Sequence, residues 1–206
     1  MRELGLCALA HANRHSAYMD VENGAWGELS VLQAAHAAEI LIKARIAQEH
    51  PLLIFENFPK ASAEELSIEA LFEKGRTIEW SELPNRLWVT TGITIPNLER
   101  FKKFGKLRNG IQHFSSLPNM NVCNQTLEFV FDVIDPFINQ CWGLFAVDYD
   151  EDDEAYIYFI PTLINHEIPF LVSKEAAECF KYWDVNWDNV NSSYKDLITQ
   201  RVQDAL

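Results

Sequence analysis

The chain has few cations, no long apolar run and none of the short glycine-rich motifs that bind nucleotides. Its 206 residues carry 17 Lys and Arg against 30 Asp and Glu, for a formal net charge of −13. This balance argues against a general nucleic-acid-coating protein, because such a surface repels phosphates. The sequence also lacks a P-loop, a G-x-S-x-G elbow and a dinucleotide fingerprint, and we predict no cofactor.

Membrane and secreted proteins have signals that are missing here as well. No apolar run reaches the roughly 18 residues that a membrane helix needs. Residues 1–12 carry Glu3 where a signal peptide would be basic, so we predict a cytoplasmic protein. The four cysteines form no C-x-x-C pair and have no histidine at zinc spacing. That pattern predicts four buried, reduced thiols and no metal site.

What is present is a dense helical pattern of apolar residues, which make up 48% of the chain. The strongest run, residues 26–49, contains no proline and is apolar around most of its circumference, which is typical of a helix deep in a bundle. A capping box of Ser62 and Glu65 begins another helix, and Pro136 is expected to kink the last one. The further predicted helices are residues 62–73, 80–90, 96–114 and 125–145.

Composition changes abruptly at Asp148. Six of the seven residues 148–154 are acidic, and the aromatic and branched run 155–160 is typical of a β-strand. Two further helices are predicted at residues 173–182 and 194–205. We therefore predict an all-α bundle of residues 1–147, with an acidic turn and a short mixed extension, residues 148–206, packed on it. An independent second domain is disfavoured because roughly 60 residues form only a marginal core.

A basic helix interrupts this acidic background. Residues 99–108 contain one anion and five cations: Arg100, Lys102, Lys103, Lys106 and Arg108. Cations concentrated on an anionic protein indicate a phosphate-bearing partner, and the three lysines are candidates for guiding RNA phosphates. A solvated helix face explains the same lysines nearly as well.

Arg108 and His113 at the end of this helix are the candidate catalytic pair. Arginine holds phosphate oxygens with a permanently charged fork, and histidine transfers protons near neutral pH. A separation of five residues turns their side chains about 140° apart on a helix, so convergence requires the helix to end or distort, for which Gly110 is the candidate. The alternative is that Arg108 pairs with a surface carboxylate and His113 is a helix-end histidine.

Arg108, Asn109 and His113 resemble the R-x4-6-H signature of the HEPN superfamily. Upstream, Glu39 and Lys43 resemble the E-x3-K helix that these proteins pack beside the motif, and the likeness spans roughly residues 26–142. It implies a HEPN-like helical bundle and a metal-independent endoribonuclease of the toxin or anti-phage defence type. It further implies a homodimer whose motifs face each other, and an antitoxin or regulatory protein as a further partner.

The resemblance also implies a role for each residue. His113 transfers protons at the ribose 2′-hydroxyl and the leaving oxygen, Arg108 stabilises charge on phosphorus, and Asn109 positions them or the RNA. Ser115 stands where one subset carries a tyrosine, so nucleotidylation of that residue is not expected. The alternative is a non-catalytic HEPN-type module that binds RNA, nucleotide or protein.

The sequence leaves the roles of two smaller groups of residues open. Glu39 either orients Arg108 or His113, or forms an ordinary ion pair with Lys43 at helical spacing. His11 and His15 are spaced for a metal ion, but no carboxylate completes the set in the sequence.

Overall fold

A computed structural model describes residues 1–18, 24–57, 75–114, 121–151 and 154–206. These ranges contain nine α-helices, α1 to α9: Arg2–Ala17, Trp26–Glu49, Leu83–Thr91, Leu98–Phe114, Val122–Phe129, Asp135–Trp142, Ala155–Asn165, Lys174–Glu178 and Ser192–Ala205. Short 3-10 turns cover Pro51–Ile54, Trp80–Glu82, Ala146–Asp148, Phe180–Tyr182 and Trp187–Asn189. Within the described ranges, extended backbone pairs only in an isolated bridge between Phe55 and Thr77, so the all-α prediction is confirmed. The predicted helix 62–73 lies outside them.

Helix α2 is the centre of the fold, as its apolar pattern predicts. Its buried residues occupy most of its circumference, and many of them are alanines. Helix α1 packs along it in the antiparallel direction: a Cβ on Gly5 would lie 2.7 Å from the Leu41 side chain, and the His15 ring lies 4.8 Å from that of Trp26. Small side chains allow two helices to approach this closely. The sequence patterns do not single out α1 as a helix of its own.

An aromatic layer joins α4 to its neighbours. The layer consists of Trp80, Phe101, Phe104 and Phe129. Phe104 stacks on Phe129 of α5 at 3.8 Å between ring centroids, and Trp80 stacks on Phe101 at 4.2 Å. Such pairs contribute about 1 kcal/mol beyond the area that they bury. The basic helix therefore packs on the bundle through its aromatic side.

The predicted distortion at Pro136 takes the form of a π-helical turn. Residues Val130–Ile134 join α5 to α6, and the backbone N–H of Asp135 donates to the carbonyl of Val130, five residues earlier. Proline cannot donate to the preceding turn and its ring crowds it, so the helix widens there and continues. The helical path ends at Trp142, three residues before the predicted end.

The strand-like prediction for residues 155–160 is wrong. The segment begins α7, which continues through Pro161 to Asn165. Phe159, Ile160, Leu163 and Ile164 are fully buried at helical spacing. A short apolar run does not distinguish a strand from a buried helix. The second half of the helix lies beyond residues 155–160, the run on which the strand prediction is based.

The segments after residue 145 are bonded to the bundle by buried polar groups. Asp135, which is fully buried, accepts the backbone N–H of Ala146 at 2.8 Å and that of Leu171 at 2.9 Å. The side-chain amide of Asn13 in α1 donates to the carbonyls of Ala146 and Tyr149 at 3.0 and 2.7 Å. Burial raises the pKa of Asp135 to about 7, although both N–H donors oppose the rise.

Asp148, the first residue of the acidic turn, is held in place by hydrogen bonds. The carboxylate of Asp148 accepts the hydroxyls of Tyr156 at 2.8 Å and Ser173 at 2.5 Å. Ser173 also caps α8, because its Oγ accepts the backbone N–H of Ala176. Asp148 therefore connects the turn to α7 and α8.

The cysteines are free, as predicted, but they are not all buried. Cys7 is exposed, whereas Cys123, Cys141 and Cys179 are partly buried. Burial raises the pKa of the Cys141 thiol to about 11. Among the described helices, none has the length and apolarity that crossing a membrane would take.

The Asp135→Asn variant should change how stability depends on pH. Because the folded-state pKa of about 7 lies above the ordinary value, the protonated carboxyl is favoured in the folded chain, and its contribution is lost as pH rises through 7. We expect the stability of the parent relative to the variant to fall by about 1 kcal/mol between about pH 6 and 8. Urea unfolding at several pH values measures this difference, and parallel pH profiles would contradict it.

Gly105 and Gly110 of α4 form a matched pair for testing the aromatic layer. A Cβ at Gly105 would lie 2.4 Å from Nε1 of Trp80, whereas a Cβ at Gly110 would meet no atom within 4 Å. Gly105→Ala should destabilise by about 1–3 kcal/mol because Trp80 must leave its stack. Gly110→Ala should stabilise by up to about 1 kcal/mol through helix propensity. Equal effects in thermal or urea unfolding would contradict this packing.

Candidate functional site

Arg108 is held at the surface of the bundle by contacts on two sides. Its Nη2 donates to Oε2 of Glu39 in α2 at 3.2 Å, and its Nη1 donates to Oδ1 of Asn109 at 2.9 Å. The guanidinium carbon lies 5.7 Å from the ring centroid of Trp80, within the range of a cation–π contact. With 26% of its side chain exposed, Arg108 is both fixed and accessible.

Glu39 bonds two cations. It forms the ion pair with Lys43 and also contacts Arg108, so the two interpretations of its spacing do not exclude each other. Its Oε1 accepts Nζ of Lys43 at 2.6 Å, and its Oε2 accepts Arg108. Lys43 is nearly buried and also donates to Oγ1 of Thr77 at 2.9 Å. The ion pair at helical spacing is confirmed. The carboxylate in addition orients the guanidinium group across the α2–α4 contact.

A cavity of about 280 Å³ opens beside this ion pair. We call it the Arg108 cavity, and its lining residues are Leu32, His36, Glu39, Arg108 and Gln112. The structure thus brings His36 and Gln112 to Arg108. Gln112 is absent from the sequence prediction, although its i+4 spacing from Arg108 on one helix is the signal that would have found it. His36 stands three residues before Glu39 on α2, so both reach the same cavity.

Helix α4 continues unbroken through Gly110, so the expected break between Arg108 and His113 is absent. At about 100° per residue, the two side chains point about 140° apart. Arg108 faces α2, while His113 is exposed. A single chain therefore separates the two groups of the candidate catalytic pair.

His113 instead lies on an exposed stripe with two of the lysines. The basic stripe consists of Lys102, Lys106, Asn109 and His113, which are spaced i, i+4, i+7 and i+11 and fall within an arc of about 60°. All four residues are exposed. In the part of the chain that the structure describes, Lys102 and Lys106 enter no ion pair. The stripe thus presents two cations and one imidazole to solvent along three turns of helix.

Like Arg108, the cations Arg100 and Lys103 of the helix lie off this stripe. Arg100 pairs with Glu128 and, through Nε at 2.8 Å, with Asp132 of the π turn, so its charge is compensated within the protein. Burial raises the pKa of Asp132 in spite of this arginine. Lys103 lines a separate cavity of about 310 Å³ with Asn97, Arg100 and Glu128. The predicted RNA contacts thus divide between two sides of α4.

The histidines of α1 acquire a carboxylate neighbour that the sequence does not indicate. Nδ1 of His11 lies 3.0 Å from Oε1 of Glu151, and the His11 and His15 rings are 6.1 Å apart. Burial lowers the pKa of His15, and His11 lowers it further. Across the described ranges, no group of three or more His, Cys, Asp or Glu side chains is arranged to hold a metal ion.

Comparisons of the chain with protein-family models, curated proteins and solved structures find no match. The features of this chain that bear on its function are the anchored Arg108, the Arg108 cavity and the basic stripe.

Proposed function

We propose that the protein is a metal-independent endoribonuclease of the toxin or anti-phage defence kind. The observation that carries the proposal is the arrangement of α4, which places an arginine anchored by Glu39 on one side and a histidine in a basic stripe on another. In a chain with a net charge of −13, these cations are where an RNA backbone would bind.

The proposed reaction is the transfer of phosphorus from the 5′-oxygen to the 2′-oxygen of RNA. A neutral His113 accepts the proton of the 2′-hydroxyl as that oxygen attacks phosphorus. The bond from phosphorus to the 5′-oxygen breaks, and a second imidazole, in its protonated form, delivers a proton to the leaving oxygen. Arg108 stabilises the negative charge that develops on the phosphoryl oxygens. The products are a 2′,3′-cyclic phosphate and a free 5′-hydroxyl, and no metal ion or cofactor takes part.

In the proposal the two groups come from different subunits of a homodimer, and the unbroken helix is what supports this. Within one chain, Arg108 and His113 diverge by about 140° and do not meet at one phosphate. In the proposed dimer the Arg108 of one chain lies near the His113 of the other, and because a two-fold interface is isologous, the reciprocal pair forms as well. The same axis brings a second His113, which supplies the acid beside the base.

The separation of Arg108 from His113 also favours a second candidate function, a binding module that does not cleave. A protein of that kind keeps the basic stripe and the anchored arginine for an RNA, nucleotide or protein ligand. It binds without turnover, and His113 then acts only as one more polar contact.

The first test is cleavage of total RNA in EDTA. We expect the parent protein to cut RNA, and His113→Ala to lower the rate by about 10²–10⁴-fold through loss of proton transfer. His166→Ala is the matched control, because His166 is an exposed histidine at the end of α7. RNA binding without cleavage by the parent would select the binding module.

The second test asks whether the site is shared between subunits. Arg108→Ala and His113→Ala should each be inactive alone, since every site then lacks one group. When the parent is mixed 1:1 with His113→Ala and the subunits exchange, half of the dimers become mixed, and each mixed dimer lacks either the base or the acid. Activity should therefore fall to about half that of the unexchanged mixture. Sedimentation velocity checks that dimers form. Unchanged activity after subunit exchange would contradict a shared site.

A further inference from the structure

A second groove lies at the other end of the basic stripe. It occupies about 460 Å³ between α3 and the start of α4. We call it the Trp88 groove, and its lining includes Ser81, Asn85, Trp88, Thr94, Leu98 and Lys102. None of these residues except Lys102 belongs to the site described above. Lys102 lines the groove and also begins the stripe that ends at His113.

Trp88 lies on the outer side of α3, where most of its surface is exposed. Its residue surface is 56% accessible, and its neighbours Val89 and Leu98 are 64% and 40% accessible. The inner side of α3 is covered, since Leu83 and Leu87 are fully buried. Trp88 therefore lies outside the buried core and leaves more than half of its surface open to a ligand. Exposed apolar surface of this kind beside a groove is typical of a binding site.

The positive charge of Lys102 beside the indole indicates which class of ligand the groove binds. Lys102 is the charged member of the groove lining, and the surrounding polar groups are neutral side chains of Ser81, Asn85 and Thr94. A planar aromatic surface next to a cation is how proteins bind single-stranded nucleic acid, with a base stacked on the ring and a phosphate at the cation. A two-fold contact through this groove would instead bring two copies of Lys102 toward each other, which disfavours a second copy of the chain.

We propose that the Trp88 groove is a base-stacking subsite for single-stranded RNA that runs along the basic stripe. The inference rests on the proposed function and specifies its substrate as unpaired RNA. Lys102 and His113 are eleven residues apart on α4, which is roughly 16 Å along the helix axis. A stacked strand advances about 3.4 Å per nucleotide, so the stacked base lies up to about five nucleotides from the phosphate at His113.

Binding is measured separately from cleavage. In the His113→Ala background, fluorescence anisotropy with labelled single-stranded RNAs of about four to ten nucleotides gives the affinity. We expect Trp88→Ala to weaken binding by about tenfold or more, and Trp88→Phe to retain most of it, because stacking needs only an aromatic face. Tyr158→Ala is the matched control, since Tyr158 is 53% accessible on α7, and it should leave affinity unchanged.

Single abasic substitutions locate the subsite along the RNA. At one RNA position, removal of the base should weaken binding to the protein that retains Trp88. The same removal should not weaken binding to Trp88→Ala, because that variant already lacks the stacking contact. Equal RNA affinity with and without the indole overturns the subsite, and so does a change in sedimentation at unchanged affinity, which identifies a subunit contact. Trp88-dependent binding by a parent that does not cleave supports the subsite and overturns only the proposed activity. No RNA binding at all overturns both.

Discussion

The central constraint on this structure is that α2 is buried around most of its circumference and yet carries a lysine. An ammonium group in such surroundings is stable only when a partner compensates it, since the penalty for a lone buried ion is several kcal/mol. Only 7% of the Lys43 side chain is exposed, and Glu39, one turn earlier, neutralises it. The second oxygen of Glu39 then bonds Arg108. The orientation of the candidate catalytic arginine is thus tied to the burial of the central helix.

Much of the helical framework was accessible from the sequence, because long apolar patterns and proline positions report on local structure directly. The helix Trp26–Glu49 has the bounds that its pattern predicts, and Pro136 marks the distortion of residues 125–145. The prediction fails at Ala155–Asn165, because the strand-like run 155–160 is only the first half of a helix that continues through Pro161. A proline within a short buried helix is tolerated when packing supplies the stability that the lost hydrogen bond removes.

The candidate site was predictable in its members but not in its geometry. Spacing alone identified Glu39 and Lys43 as neighbours, and the basic run was evident from charge. Whether α4 breaks at Gly110 is decided by packing, since Leu107 and Ile111 on either side of the glycine pack against the core, and the glycine itself has open space around it. His36 reaches Arg108 only through the crossing of two helices, which no local pattern contains, whereas Gln112 follows Arg108 by one turn of the same helix.

The π turn at Val130–Ile134 has a further consequence for how the two halves of the chain are related. One additional residue in a helical turn rotates everything beyond it by about 100° relative to an uninterrupted α-helix. Before the turn, Phe129 points to α4; after it, Asp135 points to the backbone of Ala146 and Leu171. The turn therefore rotates the helix, so that one continuous helical path contacts α4 before the turn and the segments after residue 145 beyond it. The ring of Pro136, by opposing a regular helix, sets the direction in which the C-terminal segments attach.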